Sequence, residues 1–453
     1  MSPAASRRDD RWSPALSLWH DTLEHGDDGM PRAPLPGDRD VDAAVVGAGF
    51  TGLWTAYHLL RHDPHLRVAV LERDTAGHGA SGRNGGWCVG DQAAPLAVLE
   101  RAAGRDAAIA MVRAVQASVD EVGAIAARER IDCGFAKGGA IYLATTVPQL
   151  RRHARTLAMY ARYGLDDSYR LLSVRESVDI VNATGVHGAL WTPHAAALHP
   201  ARLARGLARA VERLGGTVYE QTAVTRIGPR RALTARGTVR ADVVVRATEA
   251  YTPTLDGERR TVLPLGNHMI ATEPLPDEVW DEIGLRNREV FEDCPHLLAY
   301  GQRTADGRLA WGGLGAPYRW RSRVPSSPMH SARVAARLQA RLVARFPVLR
   351  DVEVTHHWGG ILGVPRDLRP GVGLDRPTGT AWAGGYVGSG VAAAQAAGRT
   401  LADLILDRSS DHTRLPWVGH RSPRWAPEPL RWLGVRGVAG LARAADAVDT
   451  LRS

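Results

Sequence analysis

Gly47, Gly49 and Gly52 stand in the spacing G-x-G-x-x-G, between a short apolar run at 41–46 and a helical pattern that continues through Leu60. Such spacing serves phosphate chemistry. The first glycine makes a tight turn, the second lets the backbone approach a pyrophosphate, and the third lets helix and strand pack closely. Phe50 and Thr51 open the helix whose N-terminal amides would meet the phosphate charge. A second apolar run, 68–71, ends at Glu72, about 20 residues after Gly52, where an acid holds ribose hydroxyls and disfavours a 2′-phosphate. Arg73 follows directly. This strand–turn–helix–strand unit, about 32 residues long, predicts a Rossmann-type dinucleotide site.

The segment GHGASGRNGGWC, 77–88, extends that site. Small residues at this density let backbone amides lie against a flat ligand without side-chain clash. Ala80, Gly85 and Gly86 supply the thin wall, Ser81 a hydroxyl for a phosphate, and Arg83 and Asn84 further donors.

The elements that must position these residues are spread along the whole chain. Residues 1–40 read as an extended arm anchored by Trp12 and Trp19. Helices are expected over 95–130, a strand over 135–144, and an amphipathic helix over 200–214 that stops at Gly215 and Gly216. A strand at 217–227 and a fully buried one at 241–247 follow. Strand-like pieces broken by Gly and Pro fill 262–320, and 329–346 is helical. Residues 387–406 begin in glycine turns and continue as an alanine-rich helix. A final amphipathic helix packs on the surface.

At 453 residues the chain is long enough for two domains. The net charge of +9 comes almost wholly from arginine, with Lys137 the single lysine. Scattered arginines fit a basic surface or a field that draws in an anion. They form no basic stripe interleaved with aromatics, so nucleic acid is not expected as a partner. No apolar run reaches the roughly 18 residues that a membrane span needs, and no apolar segment follows the basic N-terminus. The reading is a cytoplasmic protein that spans no membrane. Cys88, Cys133 and Cys294 have neither disulfide nor metal spacing. His356 and His357, as strand neighbours, point to opposite faces, so no metal site is expected.

Taken together, the first glycine motif, GASGRNGGW, LHPARLARGL (198–207), ADVVVRATEAYT (241–252) and AGGYVGSGVAAAQAAGR (383–399) resemble the FAD-dependent glycine/D-amino-acid oxidase-like (DAO) family. The resemblance covers roughly 40–410 and is nearest to the branch of γ-glutamylputrescine oxidases and aminophosphonate oxidoreductases. It implies an α/β fold. A Rossmann-type (GR2) FAD-binding domain at 41–129, 196–256 and 353–410 would carry an inserted α+β substrate domain at 130–195 and 257–352. That second domain would be built on a mixed or antiparallel sheet, with 1–40 an arm and 411–453 a tail. The resemblance further implies that Val224 meets the adenine through its backbone and that Ala247 and Thr248 run past the cofactor. Glu249 replaces the family's usual glycine or asparagine. Gly385, Gly388, Ser389, Gly390 and Val391 would bring a helix N-terminus to the pyrimidine end of the flavin, where the dipole stabilises negative charge. Relatives often carry histidine where Ser389 stands. The segments around Trp358 and Arg366 either border the flavin or are purely structural.

Some relatives attach flavin through a C-terminal cysteine; none follows Cys294, so FAD is expected to be non-covalent. Some place a lysine near flavin N5, where this chain has Gly315, Ala316 and Pro317. The implied reaction is oxidation of the C–N bond of a small amine, amino acid or aminophosphonate. Hydride passes from the α-carbon of a neutral amine to the flavin, and the imine hydrolyses to an aldehyde or keto acid. Electrons then pass to O2 or another acceptor. Orientation suffices for this step, so no acid–base residue is assigned. Tyr300, Arg303 and Tyr318, with Trp358 and Arg366, are the candidates for gripping the substrate. The alternatives are FAD-dependent oxidation of another group, such as C–OH or a tailoring step in a biosynthetic pathway, and a non-catalytic flavin-binding protein.

Overall fold

A computed structural model describes residues 16–23, 27, 30–313, 318–324 and 329–451. Two eight-stranded sheets form its frame. At the centre of the first, Arg39–Val46 lies parallel to both Gly237–Arg246 and Val68–Leu71, with Val45 opposite Val245 on one side and Val70 on the other. Runs of Ala and Val suit such a strand because helices cover both faces of a parallel sheet. Thr380–Gly384 and Thr217–Tyr219 extend the parallel array outward, and Gly371–Asp375 closes one edge in antiparallel sense.

Two helices on this sheet approach unusually closely. Phe50–His62 meets Gly390–Ile405 where a Cβ on Gly398 would lie 2.6 Å from that of Trp54. Ala392, Ala393, Ala394, Ala396 and Ala397 are all buried around that contact, and their small side chains permit it. Close packing here fixes the two helix N-termini relative to each other.

The second sheet runs Val354–Val364, Leu263–Thr272, Leu309–Gly313, Ala299–Arg303, Val290–Asp293, Ala140–Ala144, Gly188–Thr192, Arg170–Leu172. Its pairings are antiparallel except that of Val290–Asp293 with Ala140–Ala144, so the expected mixed sheet is present. Ile141, Ile270, Phe291 and Trp311 belong to its own buried core. Trp87–Val89 and Ala195–Ala197 make a small ribbon of their own.

Several expected elements end differently. The strand expected at 135–144 starts only at Ala140, because Gly138 and Gly139 press the chain against the carbonyls of Asn287 and Thr192, 2.4 and 2.6 Å from where a Cβ would be. The strand expected at 217–227 is two pieces. The buried Glu220 carboxylate turns inward to accept Ala76 N at 2.7 Å and Arg32 N at 2.6 Å, and Gln221 takes φ +49. In place of a fully buried strand at 241–247, Gly237–Arg246 leaves Asp242 exposed. Val354–Val364, which the resemblance assigns to the FAD-binding domain, pairs as the edge strand of the second sheet. Trp12 lies outside the described residues, whereas Trp19 is buried. Among the described residues no helix is long and apolar enough to cross a membrane.

Candidate cofactor and substrate site

Gly47 turns the chain out of Arg39–Val46 with φ +107, and a Cβ there would lie 2.7 Å from the Ala247 carbonyl oxygen. At Gly52 a Cβ would fall 1.9 Å from the Gly47 carbonyl oxygen. Both glycines are therefore required by backbone contacts alone. Gly49 caps the Phe50–His62 helix, and Phe50 N donates to Ser81 Oγ at 2.8 Å. Ser81 thus satisfies one of the free amides of that helix end; its own hydroxyl hydrogen remains available. Glu72 accepts Ala48 N at 2.8 Å and Asp74 N at 2.9 Å, and burial pushes its carboxyl upward. A carboxylate has about four acceptor positions, so the two used here leave room for hydroxyls.

The glycine-rich loop is held from three directions. Asn84 Nδ2 donates to the carbonyls of Ala80 and Ser81, while its Oδ1 accepts Gly86 N at 2.7 Å. Its amide therefore shapes the loop. Arg83 is buried and donates to Gly359 O at 3.1 Å, Tyr251 Oη at 2.6 Å and Gly79 O at 3.4 Å. Trp358 Nε1 donates to Arg83 O at 2.9 Å. On the far side, a Cβ on Gly85 would lie 2.4 Å from the Tyr300 ring, and one on Gly86 1.9 Å from Gln302 Nε2. Close approach of the Ala299–Arg303 strand explains these two glycines.

Three contiguous cavities follow this frame. A slot of about 110 Å³ is lined by Gly47, Gly49, Phe50, Thr51, Glu72, Arg73, Ala80, Ser81, Val224, Ala247 and Thr248. It runs into a chamber of about 70 Å³ that adds Asn84, Gly388, Gly390 and Val391. Here the N-termini of Phe50–His62 and Gly390–Ile405 face the same space, linked by Thr51 Oγ1 and Tyr386 Oη at 3.1 Å. The chamber shares Leu362, Val387 and Gly388 with a cavity of about 370 Å³, whose walls include Arg83, Gly85, Ser389 and Tyr300. Two helix ends for negative charge, an acid for hydroxyls and a glycine-lined slot fit an extended dinucleotide with a diphosphate.

Glu249 is the residue whose role the sequence did not disclose. It takes φ +40, and its Oε1 accepts Gly385 N at 2.7 Å and Tyr386 N at 3.2 Å. It therefore clasps the loop that enters Gly390–Ile405, and burial pushes its carboxyl up. Gly385 faces a separate cavity of about 380 Å³ behind Glu249, where Arg246, Arg369 and Arg421 also lie.

Several candidates for gripping a substrate are placed elsewhere. Arg303 lies over the Trp280 ring, 4.6 Å from its centroid, on the face of the strand opposite to Tyr300. Tyr318 Oη bonds Glu428 of the C-terminal region, and Arg366 is exposed and donates to Arg424 O. Trp358 is fully buried and reaches the site only through the Arg83 carbonyl. Gly52 and Gly86 serve packing and do not line the cavities. The stretch Gly315, Ala316 and Pro317 falls outside the described residues, and Lys137 pairs with Asp120. His356 Nε2 meets Asp21 at 2.8 Å while His357 stacks on His268, and no group of three metal-ligating side chains forms among the described residues.

In their place the large cavity presents Trp87, Asp91, Tyr142, Asn267 and Glu292. Asn267 Nδ2 donates to Tyr300 Oη at 2.5 Å, and burial pushes the Tyr300 hydroxyl up so that it stays protonated. Asp91 accepts the hydroxyls of Tyr142 and Tyr169. Glu292 is pushed up to about 8 by burial. No local motif marks these residues; each reaches the cavity by strand pairing.

The family described as FAD dependent oxidoreductase (DAO) matches residues 42–404. The gamma-glutamylputrescine oxidoreductase of Escherichia coli (strain K12) is 33% identical over 404 residues, covering 84% of this chain and 89% of that protein. "Probable oxidoreductase OrdL" of Rhizobium meliloti (strain 1021) is 28% identical over 407 residues, 88% of this chain and 90% of that protein. Among solved structures, glycine oxidase from Geobacillus kaustophilus has a TM-score of 0.71 at 22% identity, covering 85% of this chain and 100% of that one.

Proposed function

The chain belongs to the DAO family of FAD-dependent oxidoreductases, and on that premise we propose that it oxidises the C–N bond of a small amine to an imine, which hydrolyses to a carbonyl compound. The observation that carries this reading is the continuity of the slot, the two-helix chamber and the 370 Å³ cavity. One end suits a dinucleotide, and the other is roomy enough for a small organic molecule.

In this reading Glu72 holds ribose hydroxyls, the amides around Gly49 to Thr51 hold the diphosphate, and Val224 lies along the adenine. Ala247 and Thr248 border the slot, and Gly388 to Val391 present the second helix end to the ring. Bound FAD, held non-covalently, supplies the hydride acceptor. Trp87 and Tyr300 orient the substrate, and the Tyr300 hydroxyl, fixed by Asn267, offers a hydrogen bond within the cavity. The largely apolar walls exclude water and favour the neutral form of the amine that is to be oxidised. Electrons leave to O2 or another acceptor. Arg83 lies on the cavity wall, where its positive charge would face that acceptor, and Arg366 does not.

The name of the Escherichia coli relative points in the same direction, since it contains that of an amine derivative. The test is anaerobic mixing of the holoenzyme with amines, amino acids, aminophosphonates and, as controls, alcohols and hydroxy acids. Bleaching of the flavin absorbance by an amine-bearing compound is expected. Bleaching by a hydroxy compound, with no amine active, would overturn the reading.

A further inference from the structure

We infer that the preferred substrate carries, besides the neutral amine to be oxidised, a second amine whose positive charge is held by Glu292 and Asp91 at the end of the large cavity away from the helix N-termini. The site then takes a diamine or a similar dication in preference to an amino acid. This inference rests on the amine-oxidation reading. The cavity itself is identified by its continuity with the dinucleotide slot, independently of its acids.

Its two ends differ in chemistry. Where it joins the chamber, the wall is Gly360, Leu362, Gly388 and Ser389; at the other end it carries the carboxyls of Asp91 and Glu292. Asp91 is anchored by two tyrosine hydroxyls, so it cannot swing away. Glu292 has a weaker partner, the Sγ of Cys294 at 3.5 Å, which leaves acceptor positions on its carboxyl for a ligand. Parallel pairing of Val290–Asp293 with Ala140–Ala144 places Glu292 opposite Tyr142, the residue that bonds Asp91. Two acids are thereby brought to one end of one cavity.

Aromatic rings complete that end. Trp87 meets Tyr142 edge-to-face with centroids 6.5 Å apart and Tyr300 at 5.7 Å, and all three line the cavity. Aromatic faces beside carboxylates are the chemistry that recognises an ammonium, through charge pairing and cation–π attraction. Leu265, Met269 and Leu297 along the walls suit the methylenes between two amines.

A carboxylate-bearing substrate finds no matching grip. Among the described residues the basic side chains on this wall are Arg83 and His296. Arg83 is already held by three oxygen acceptors, and His296 is exposed, with Nε2 3.7 Å from Asp449. Arg303 and Arg366, the arginines that could have clamped a carboxylate, do not line the cavity. A carboxylate set beside these two acids would oppose their ionisation, whereas an ammonium favours it.

The test uses three ligands of equal chain length on the holoenzyme: 1,5-diaminopentane, n-pentylamine and 5-aminopentanoate. Anaerobic flavin reduction should half-saturate at a concentration at least about tenfold lower for the diamine than for either other compound, a factor worth about 1.4 kcal/mol. Glu292→Gln should raise that concentration at least about tenfold for the diamine and leave n-pentylamine within about twofold. Tightest saturation by the aminopentanoate, or an equal effect of Glu292→Gln on all three, would overturn the inference. If no compound reduces the flavin, the amine reading has failed. The same three titrations, followed by perturbation of the flavin absorbance, then decide the cation site: Glu292-dependent preference for the diamine supports it, and equal binding overturns it. Should Glu292→Gln fail to retain FAD, Asp91→Asn and the wild-type ligand series distinguish the same two outcomes.

Discussion

Trp19 Nε1 donates a 2.7 Å hydrogen bond to the carbonyl oxygen of Asn84, so the N-terminal arm braces the glycine-rich loop from outside the dinucleotide unit. Ser17 Oγ adds a 3.3 Å bond to Gly82 O, and the Trp19 ring meets those of His199 and Trp358 edge-on. Trp19→Phe should cost about 0.5–1.5 kcal/mol for the lost hydrogen bond, and Trp19→Ala about 3–5 kcal/mol for the emptied core position. Thermal unfolding of the holoenzyme measures both. Apo-protein titrated with FAD should show weaker binding for Trp19→Ala; a variant that matches wild type in both assays would mean the arm is not a brace.

Glu72 accepts two backbone amides and faces the slot, so removing it both loosens the turn and deletes a ligand for hydroxyls. Loss of charge-assisted hydrogen bonding costs about 1.5–3 kcal/mol, so Glu72→Ala should bind FAD roughly 10- to 150-fold more weakly. Fluorescence titration of the apo-protein reads this directly. Unchanged affinity would show that Glu72 is not a ribose ligand.

Glu249 holds the amides of Gly385 and Tyr386. Glu249→Ala leaves both without that partner, at about 1–3 kcal/mol for each buried group left unsatisfied. Glu249→Gln retains a carbonyl oxygen in the same place and should lose much less. Denaturant unfolding that ranks the two variants the other way would refute the clasp.

Glu292 provides a pH test. Burial holds its carboxyl at about 8 in the folded protein against an ordinary value of 4.5. The folded state therefore binds one proton more than the unfolded state between those values. Its stabilising share is complete below the lower value and is lost as pH rises through the upper one, by at most about 1.4 kcal/mol per pH unit. Glu292→Gln, which mimics the protonated form, should flatten the fall in melting temperature between about pH 5 and pH 9 relative to wild type. Parallel profiles would count against the shifted carboxyl.

The slot, the chamber and the large cavity carry no cysteine on their walls. Cys88 and Cys133 are buried, and burial pushes both thiols up, Cys133 to about 11. Thiols so raised are poor nucleophiles. Heat or acid precipitation should therefore release intact FAD into the supernatant; flavin that stays with the pellet would refute non-covalent binding.

The dinucleotide unit was legible because its requirements are local. Gly47 is marked by its turn angle and Gly52 by its contact with the nearby Gly47 carbonyl, and Glu72 follows the neighbouring strand; only the contact of Gly47 with the Ala247 carbonyl is distant. Even there, the sequence could not show that Ser81 caps Phe50 or that the Asn84 side chain folds its own loop. The substrate end was hidden for a different reason. Strand residues alternate between faces, so Tyr300 and Gln302 turn toward the glycine-rich loop while Arg303 turns toward Trp280, and without the sheet register all three look equally available. Asp91 and Glu292, far apart along the chain, share a cavity only because one parallel pairing sets Glu292 beside Tyr142. Local backbone geometry is written in neighbouring residues; the meeting of distant side chains depends on which strands pair and in what register, and only the tertiary structure decides that.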